Sequence, residues 1–239
     1  MNIQTRSVEY TDGDVVLDGV VAWDADAAAP MPGVLISHAW GGQGEFETDK
    51  ARALAKLGYV GFALDIYGKG LRGSDPDENA ALMRPYVEDR ALLQQRMRAA
   101  LETCRGLPEV DETRLAAIGF CFGGLCVLDL ARTGADLRGV VSFHGLLSAP
   151  GNTHGVKIPA KVLVLHGHDD PMVPVDQVVA LEKELSEAGA DWQVHVYGGT
   201  MHAFTNPAAA DPDFGTVYHA SADRRSWQSM RAFLAECLE

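Results

Sequence analysis

The sequence predicts an α/β fold: a mostly parallel sheet led by an antiparallel hairpin, with helices on both faces. Three observations predict it. Alternating apolar stretches at 4–10 and 15–23 are joined by a turn at Asp12-Gly13, a hairpin signal. Beyond them, short β-rich runs alternate with segments of helical period, as strand–helix–strand crossovers require. The apolar run opening at Leu115 then turns at once into helical sequence through Gly119-Phe120-Cys121-Phe122-Gly123. A chain of 239 residues, 47% of them hydrophobic, can bury most of its apolar surface in one core, so a single domain over 1–239 is expected.

Each element has its own warrant. After the hairpin, Asp24-Ala25-Asp26-Ala27-Ala28-Ala29-Pro30 is expected as a polar surface loop. Residues 33–37 are a continuous apolar run, expected as a strand buried on both faces. It ends in the small-residue loop His38-Ala39-Trp40-Gly41-Gly42. A helix follows from about 47 to 57, closed by Gly58. Residues 59–64 form the next strand and run into Asp65-Ile66-Tyr67-Gly68. From 75 to about 84 the polar sequence is expected to be irregular, with Pro85 opening a helix, because proline suits a first turn and not an interior. Leu93, Met97, Ala100, Leu101 and Cys104 fall three and four apart, marking that helix's apolar face. The strand from Leu115 and a helix over 122–132 come next. Residues 139–143 are a strand, followed by a Gly/Ser/Pro-rich loop at 145–155. Another strand, 161–166, leads into Gly167-His168-Asp169-Asp170-Pro171. Val178, Leu181 and Leu185 mark a helix closed by Gly189, and 192–197 is the last strand. A final helix spans about 221–238, with Met230, Phe233, Leu234 and Cys237 inward.

Composition excludes several classes of function. A formal charge of −13 would be repelled by phosphates, which argues against nucleic-acid or anionic-membrane partners. The first residues hold no apolar run of signal-peptide length, and no stretch approaches the roughly eighteen apolar residues of a membrane span. Four cysteines without a C-x-x-C pair are too sparse for a disulfide scaffold, so a reducing cytoplasm is expected.

In parallel sheets, ligands sit beyond the carboxyl ends of the strands. The loops holding His38, Cys121, Asp170 and His202 all fall there. Gly119-Phe120-Cys121-Phe122-Gly123 has nucleophile-elbow spacing, with a thiol in place of the usual hydroxyl. Glycine is needed where strand and helix backbones approach, and the tip residue is forced to positive φ. The amino end of the following helix favours a thiolate there. The alternative is a buried cysteine in a Gly-rich crossover. A thiol nucleophile needs a base, and the base a third group to fix its tautomer. Cys121, then Asp170, then His202 follow the elbow order. Asp169 competes with Asp170, which Pro171 biases to an extended backbone. His166-Gly167-His168-Asp169-Asp170 also resembles the start of a metal cluster, but no convincing further ligand lies nearby, so no metal is expected.

These motifs carry a resemblance. His38-Ala39-Trp40-Gly41, Gly58-Tyr59-Val60, Asp65-Ile66-Tyr67-Gly68, Gly119-Phe120-Cys121-Phe122-Gly123-Gly124, Asp169-Asp170-Pro171 and Gly198-Gly199-Thr200-Met201-His202-Ala203-Phe204 together resemble the dienelactone hydrolase family of α/β-hydrolases, over nearly the whole chain. The resemblance implies a Cys121–Asp170–His202 triad that hydrolyses small esters or lactones without cofactor or metal. The elbow logic places the oxyanion hole at the N–H of Phe122 and one from the His38 loop, Ala39. His38 and Trp40 are the candidate side chains for substrate binding or activation. The family commonly has a glutamate where this chain has His38. Two readings of His38 stay open: an acceptor for the thiol, or a space-filling ring bonded to a main-chain carbonyl. Arg84 and Arg90 could meet a substrate carboxylate, or simply be solvated helix residues. A redox or ligand-sensing thiol and an acyltransferase are the rival functions on the same scaffold.

Overall fold

The structure, a computed structural model, describes residues 1–28 and 30–239, so Ala29 of the expected 24–30 loop lies outside the described residues. An eight-stranded sheet has the order β1-β2-β4-β3-β5-β6-β7-β8, numbering the strands along the chain, and a separate two-stranded ribbon pairs β9 with β10. By its contacts the chain divides into two compact units, Met1–Ile118 and Gly119–Glu239.

The first unit opens with β1 (Ile3–Asp12) and β2 (Val15–Asp24), antiparallel from Ile3↔Asp24 to Asp12↔Val15. The register leaves Gly13-Asp14 as the two-residue loop, and Gly13 takes the left-handed φ (+58°) that such a loop requires. The buried strands β3 (Met31–Ser37) and β4 (Val60–Ala63) run parallel, from Gly33↔Val60 to Ile36↔Ala63. Helix α1 (Glu45–Ala55) lies between them in sequence. Gly61 is held so close to α1 that a Cβ would sit 2.7 Å from the Ala51 carbonyl oxygen.

The segment after residue 74 departs from expectation. It is helical: α2 (Pro76–Glu88) contains Pro85 in its interior, and α3 (Arg90–Arg105) begins only after Asp89. A strong start outweighs the interior proline. Asp75 caps α2 by accepting from the Glu78 N–H at 2.9 Å, and Pro76 occupies the first turn, where a missing N–H costs nothing. Pro85 falls in the last turn, and its carbonyl accepts from the Asp89 N–H at 2.9 Å. Asp89 in turn caps α3, accepting from Leu92. On α3 the side chains of Leu93, Met97, Ala100, Leu101 and Cys104 are buried as expected.

β5 (Val110–Phe120) carries the chain into the second unit. There α4 (Phe122–Arg132) is followed by β6 (Gly139–Phe143), β7 (Lys161–Gly167), α5 (Val175–Glu187) and β8 (Trp192–Tyr197). The pairs β6–β7 and β7–β8 are parallel. Helix α6 (Ala220–Leu238) buries Met230, Phe233 and Leu234, while Cys237 is only half-buried. The ribbon of β9 (Ala210–Asp211) and β10 (Thr216–Val217) has no counterpart in the sequence pattern, because two-residue strands leave no period to detect. Among the described residues no helix is long and apolar enough to cross a membrane.

Candidate active site

In the second unit, β5 ends and α4 begins with one residue between them, Cys121, at φ +56° and ψ −119°. A non-glycine residue there is strained, and the turn that forces it is built on close backbone contact. A Cβ on Gly119 would lie 2.0 Å from the Gly123 carbonyl oxygen. One on Gly124 would lie 2.6 Å from the Gly145 Cα. The half-buried Cys121 thus stands at the amino end of α4, where main-chain N–H groups and the helix dipole favour negative charge. Its own N–H is held from behind by the Phe143 carbonyl at 3.0 Å and by His144 Nδ1 at 3.2 Å.

Burial separates the two competing aspartates: Asp169 is exposed and Asp170 buried. Asp170 Oδ2 accepts from His202 Nδ1 at 2.7 Å, and Oδ1 accepts from the Met172 N–H at 2.9 Å. His202 is 1% exposed. The loop that carries it is pinned to the short ribbon, with its N–H on the Gly215 carbonyl and its carbonyl on the Val217 N–H, both at 3.0 Å. Gly215 in turn presses on the residue after the acid. A Cβ there would sit 2.1 Å from Pro171 Cγ, so the ribbon clamps the acid and the imidazole together.

With Nδ1 donating to the carboxylate, Nε2 faces the thiol side. That atom is buried and satisfies no well-aligned hydrogen bond among the described residues, yet it is coupled to Cys121 electrostatically. Burial pushes the imidazole's pKa down, but the Cys121 sulfur, as a charge and as a hydrogen-bond partner, and Asp170 together raise it to about 10. Loose alignment before substrate arrives is common in such pairs.

Two further histidines line this region. His144 (φ +37°) is buried, with Nε2 2.8 Å from Thr205 Oγ1 and its ring edge-on to those of His202 and Phe204. His166 is 1% exposed, and neither ring nitrogen has a hydrogen-bond partner among the described residues. Its pKa is lowered, by burial first and by the neighbouring His202 and His168, against the pull of Asp170. No spacing marks His144 or Thr205 in the sequence, because each is placed by single long-range contacts.

Of the remaining predicted site residues, Phe122 is buried as the first residue of α4 in the second unit, and His38, Ala39 and Trp40 lie in the first. His38 is fully buried and both its nitrogens are engaged: Nδ1 donates to the Ala39 carbonyl at 2.6 Å, and Nε2 accepts from the Ile66 N–H at 3.1 Å. Burial pushes its pKa down to about 4, so it is neutral. The one acceptor nitrogen of the imidazole is occupied by the main chain, the geometry of the space-filling reading. Trp40 is half-buried, and its carbonyl accepts from Tyr67 Oη at 2.9 Å. The Ala39 N–H points to Glu47 Oε1 at a long 3.4 Å. Glu47 folds back from α1 to accept from the Gly44 N–H at 3.0 Å, and burial raises its pKa. Of the two arginines considered, Arg84 is exposed and Arg90 buried. Among the described residues no group of three or more His, Cys, Asp or Glu could hold a metal ion.

The model of the dienelactone hydrolase family matches residues 17–238. The chain belongs to the dienelactone hydrolase family. It is a dienelactone hydrolase-like hydrolase on the α/β-hydrolase fold. It is similar to a solved dienelactone hydrolase-like promiscuous phosphotriesterase, P91, from metagenomic libraries: 38% identity, all of both chains covered, TM-score 0.94. It is also similar to the "Probable 2-oxo-3-(5-oxofuran-2-ylidene)propanoate lactonase" of Bradyrhizobium, at 28% identity over 217 residues, 85% of this chain and 83% of that protein. The dienelactone hydrolase of Anabaena variabilis shares the fold over all of both chains, with a TM-score of 0.74 at 18% identity.

Proposed function

We propose that this dienelactone hydrolase-like hydrolase cleaves small esters and lactones through a covalent thioester on Cys121. The observation that carries the reading is the buried Asp170–His202 pair, whose second ring nitrogen is coupled to the Cys121 sulfur. The reading takes a thiolate–imidazolium pair as the resting state, supported by the raised His202 pKa and by the place of Cys121 at the amino end of α4. The thiolate attacks the carbonyl carbon and a C–S bond forms. The C–O bond breaks, and the departing alkoxide takes the proton of His202. The imidazole, now neutral, removes a proton from water. The resulting hydroxide attacks the thioester, the C–S bond breaks, and the thiolate–imidazolium pair is restored.

The Phe122 N–H, first in α4, is the proposed oxyanion donor. One such donor is worth about 3 kcal/mol in the transition state. His38, with both nitrogens bonded to main chain, shapes the loop that carries Ala39 and Trp40. A thiolate is also a good leaving group, which suits activated esters and strained lactones better than amides. The lactonase name of the Bradyrhizobium relative supports the lactone class.

Turnover of p-nitrophenyl acetate and of dihydrocoumarin tests the proposal. Both activities are expected to vanish in Cys121→Ala. Unchanged turnover in that variant would remove the thiol from the mechanism. No turnover by the wild type, with Cys121 readily alkylated, would favour the sensing thiol. Product formation that rises with an added alcohol acceptor would favour the transferase.

A further inference from the structure

We propose that His144 is a positioning residue that ties the nucleophile's turn to the loop of the catalytic base, with Thr205 as the other end of the tie. The inference rests on the thiol mechanism proposed above and adds a device to it.

The imidazole bridges two segments. Its Nδ1 lies 3.2 Å from the Cys121 N–H, which can only donate, so Nδ1 is the acceptor and the ring's proton sits on Nε2. That N–H then donates to Thr205 Oγ1 at 2.8 Å. Thr205 is 1% exposed and three residues beyond His202. One ring therefore fixes the main chain of the nucleophile and the loop of the base with a single tautomer. The bridge also braces the base laterally: the two histidine rings are 5.2 Å apart at 65°, and Phe204 closes the other side of His144 at 5.0 Å and 80°.

Backbone strain marks the same place. Among the described residues the non-glycine residues with left-handed φ are Cys121, His144 and Ala203. They are the nucleophile, the bridging ring and the residue next to the base. Strained positions persist only where surrounding contacts over-determine them, and they concentrate at functional sites. The strand end at His144 is secured by its N–H on the Leu165 carbonyl at 2.8 Å. A histidine suits the place because its rigid ring holds an acceptor and a donor facing two different segments.

Two substitutions divide the tie. His144→Asn keeps an acceptor at the Nδ1 position and loses the donor to Thr205. His144→Gln keeps a donor at the Nε2 position and loses the acceptor for Cys121. Thr205→Val removes the far end alone. Each variant, once its melting profile shows it folded, is expected to lower kcat on p-nitrophenyl acetate about tenfold with KM within twofold, the size of one lost hydrogen bond. Because His144→Asn and Thr205→Val cut the same bond, the double variant should be no slower than either single one. Thr205→Ser, which restores the hydroxyl, should recover most of the rate. Multiplicative losses in the double variant, or full kcat in Thr205→Val, would overturn the tie. Should the His144 variants fail to fold, the Thr205 pair decides alone. Turnover surviving in Cys121→Ala would instead defeat the underlying mechanism, an outcome distinct from any of these.

Discussion

Replacing Asp170 by asparagine isolates the part of the site on which the imidazole depends. The side chain keeps its size, and its remaining oxygen can still accept from the Met172 N–H, so the loop geometry is retained. What is lost is the charge-assisted bond at 2.7 Å between two groups almost wholly shut off from water. A bond of this kind is worth about 1.5–3 kcal/mol, a factor of roughly 10 to 150. The new amide NH2 also faces a ring N–H, which drives the neutral imidazole to the other tautomer, so Nε2 lacks the lone pair that must take a proton from water. Tautomer loss of this type costs up to about 10⁴ in kcat in triads. Asp170→Asn is therefore expected to lower kcat on p-nitrophenyl acetate between about 10² and 10⁴-fold, with little change in KM. Asp170 also raises the His202 pKa, so loss of its charge weakens the imidazole's hold on the proton. Alkylation of Cys121 by iodoacetamide at pH 7 should slow in the same variant. A folded Asp170→Asn protein with kcat within threefold of wild type would refute the argument, because no role beyond packing would be left for the carboxylate.

Three other outcomes follow from named contacts. His202 has a folded pKa of about 10 against an ordinary 6.5, so its contribution to stability is full below pH 6.5 and fades as pH rises through 10. The Tm difference between wild type and His202→Gln should shrink over that window, and a constant difference would contradict the raised pKa. Gly119→Ala drives a Cβ into the Gly123 main chain at 2.0 Å, which only opening of the turn can relieve; a loss of at least about 3 kcal/mol and of thiol reactivity is expected. Gly198→Ala, with nothing within 4 Å of its Cβ, is the control and should stay within about 1 kcal/mol by chemical denaturation. Pro85→Ala restores a helical N–H in α2 and should stabilise by about 1–2 kcal/mol, the helix gain less the looser unfolded chain; a lower Tm would mean that the proline's shape is required.

What could be read from the sequence was what depends on period and spacing. The hairpin, the buried parallel strands and the apolar face of α3 follow from alternation at two and at three to four residues, and their observed bounds differ by only a few positions. The turn at Cys121 was legible because two backbones can approach that closely only at glycine. Period fails where one local signal outvotes another, as at α2, where the cap at Asp75 and the helix-opening Pro76 prevail over Pro85. It fails also where function hangs on one contact. Asp169 and Asp170 are chemically identical neighbours, and burial together with the bond to His202 tells them apart in the fold. His38 carried no mark of being bonded to main chain on both sides. The ribbon that holds His202 against Asp170 depends on Gly215 touching Pro171, forty-four residues away in sequence.

The strained backbone positions show why such contacts have to be read from the fold. Glycine would relieve the left-handed φ at Cys121, His144 and Ala203, each at a cost of about 1–2 kcal/mol for a side chain. At the first position relief would delete the sulfur. At the second it would delete a ring that meets the Cys121 N–H on one nitrogen and Thr205 on the other. At Ala203 it would loosen the backbone beside the imidazole, since glycine visits many more conformations than alanine. Glycine stands instead at Gly13, Gly58 and Gly199, left-handed positions where no side chain would meet anything within 4 Å. On the proposed mechanism, the strain is retained where a side chain or a fixed backbone serves the chemistry.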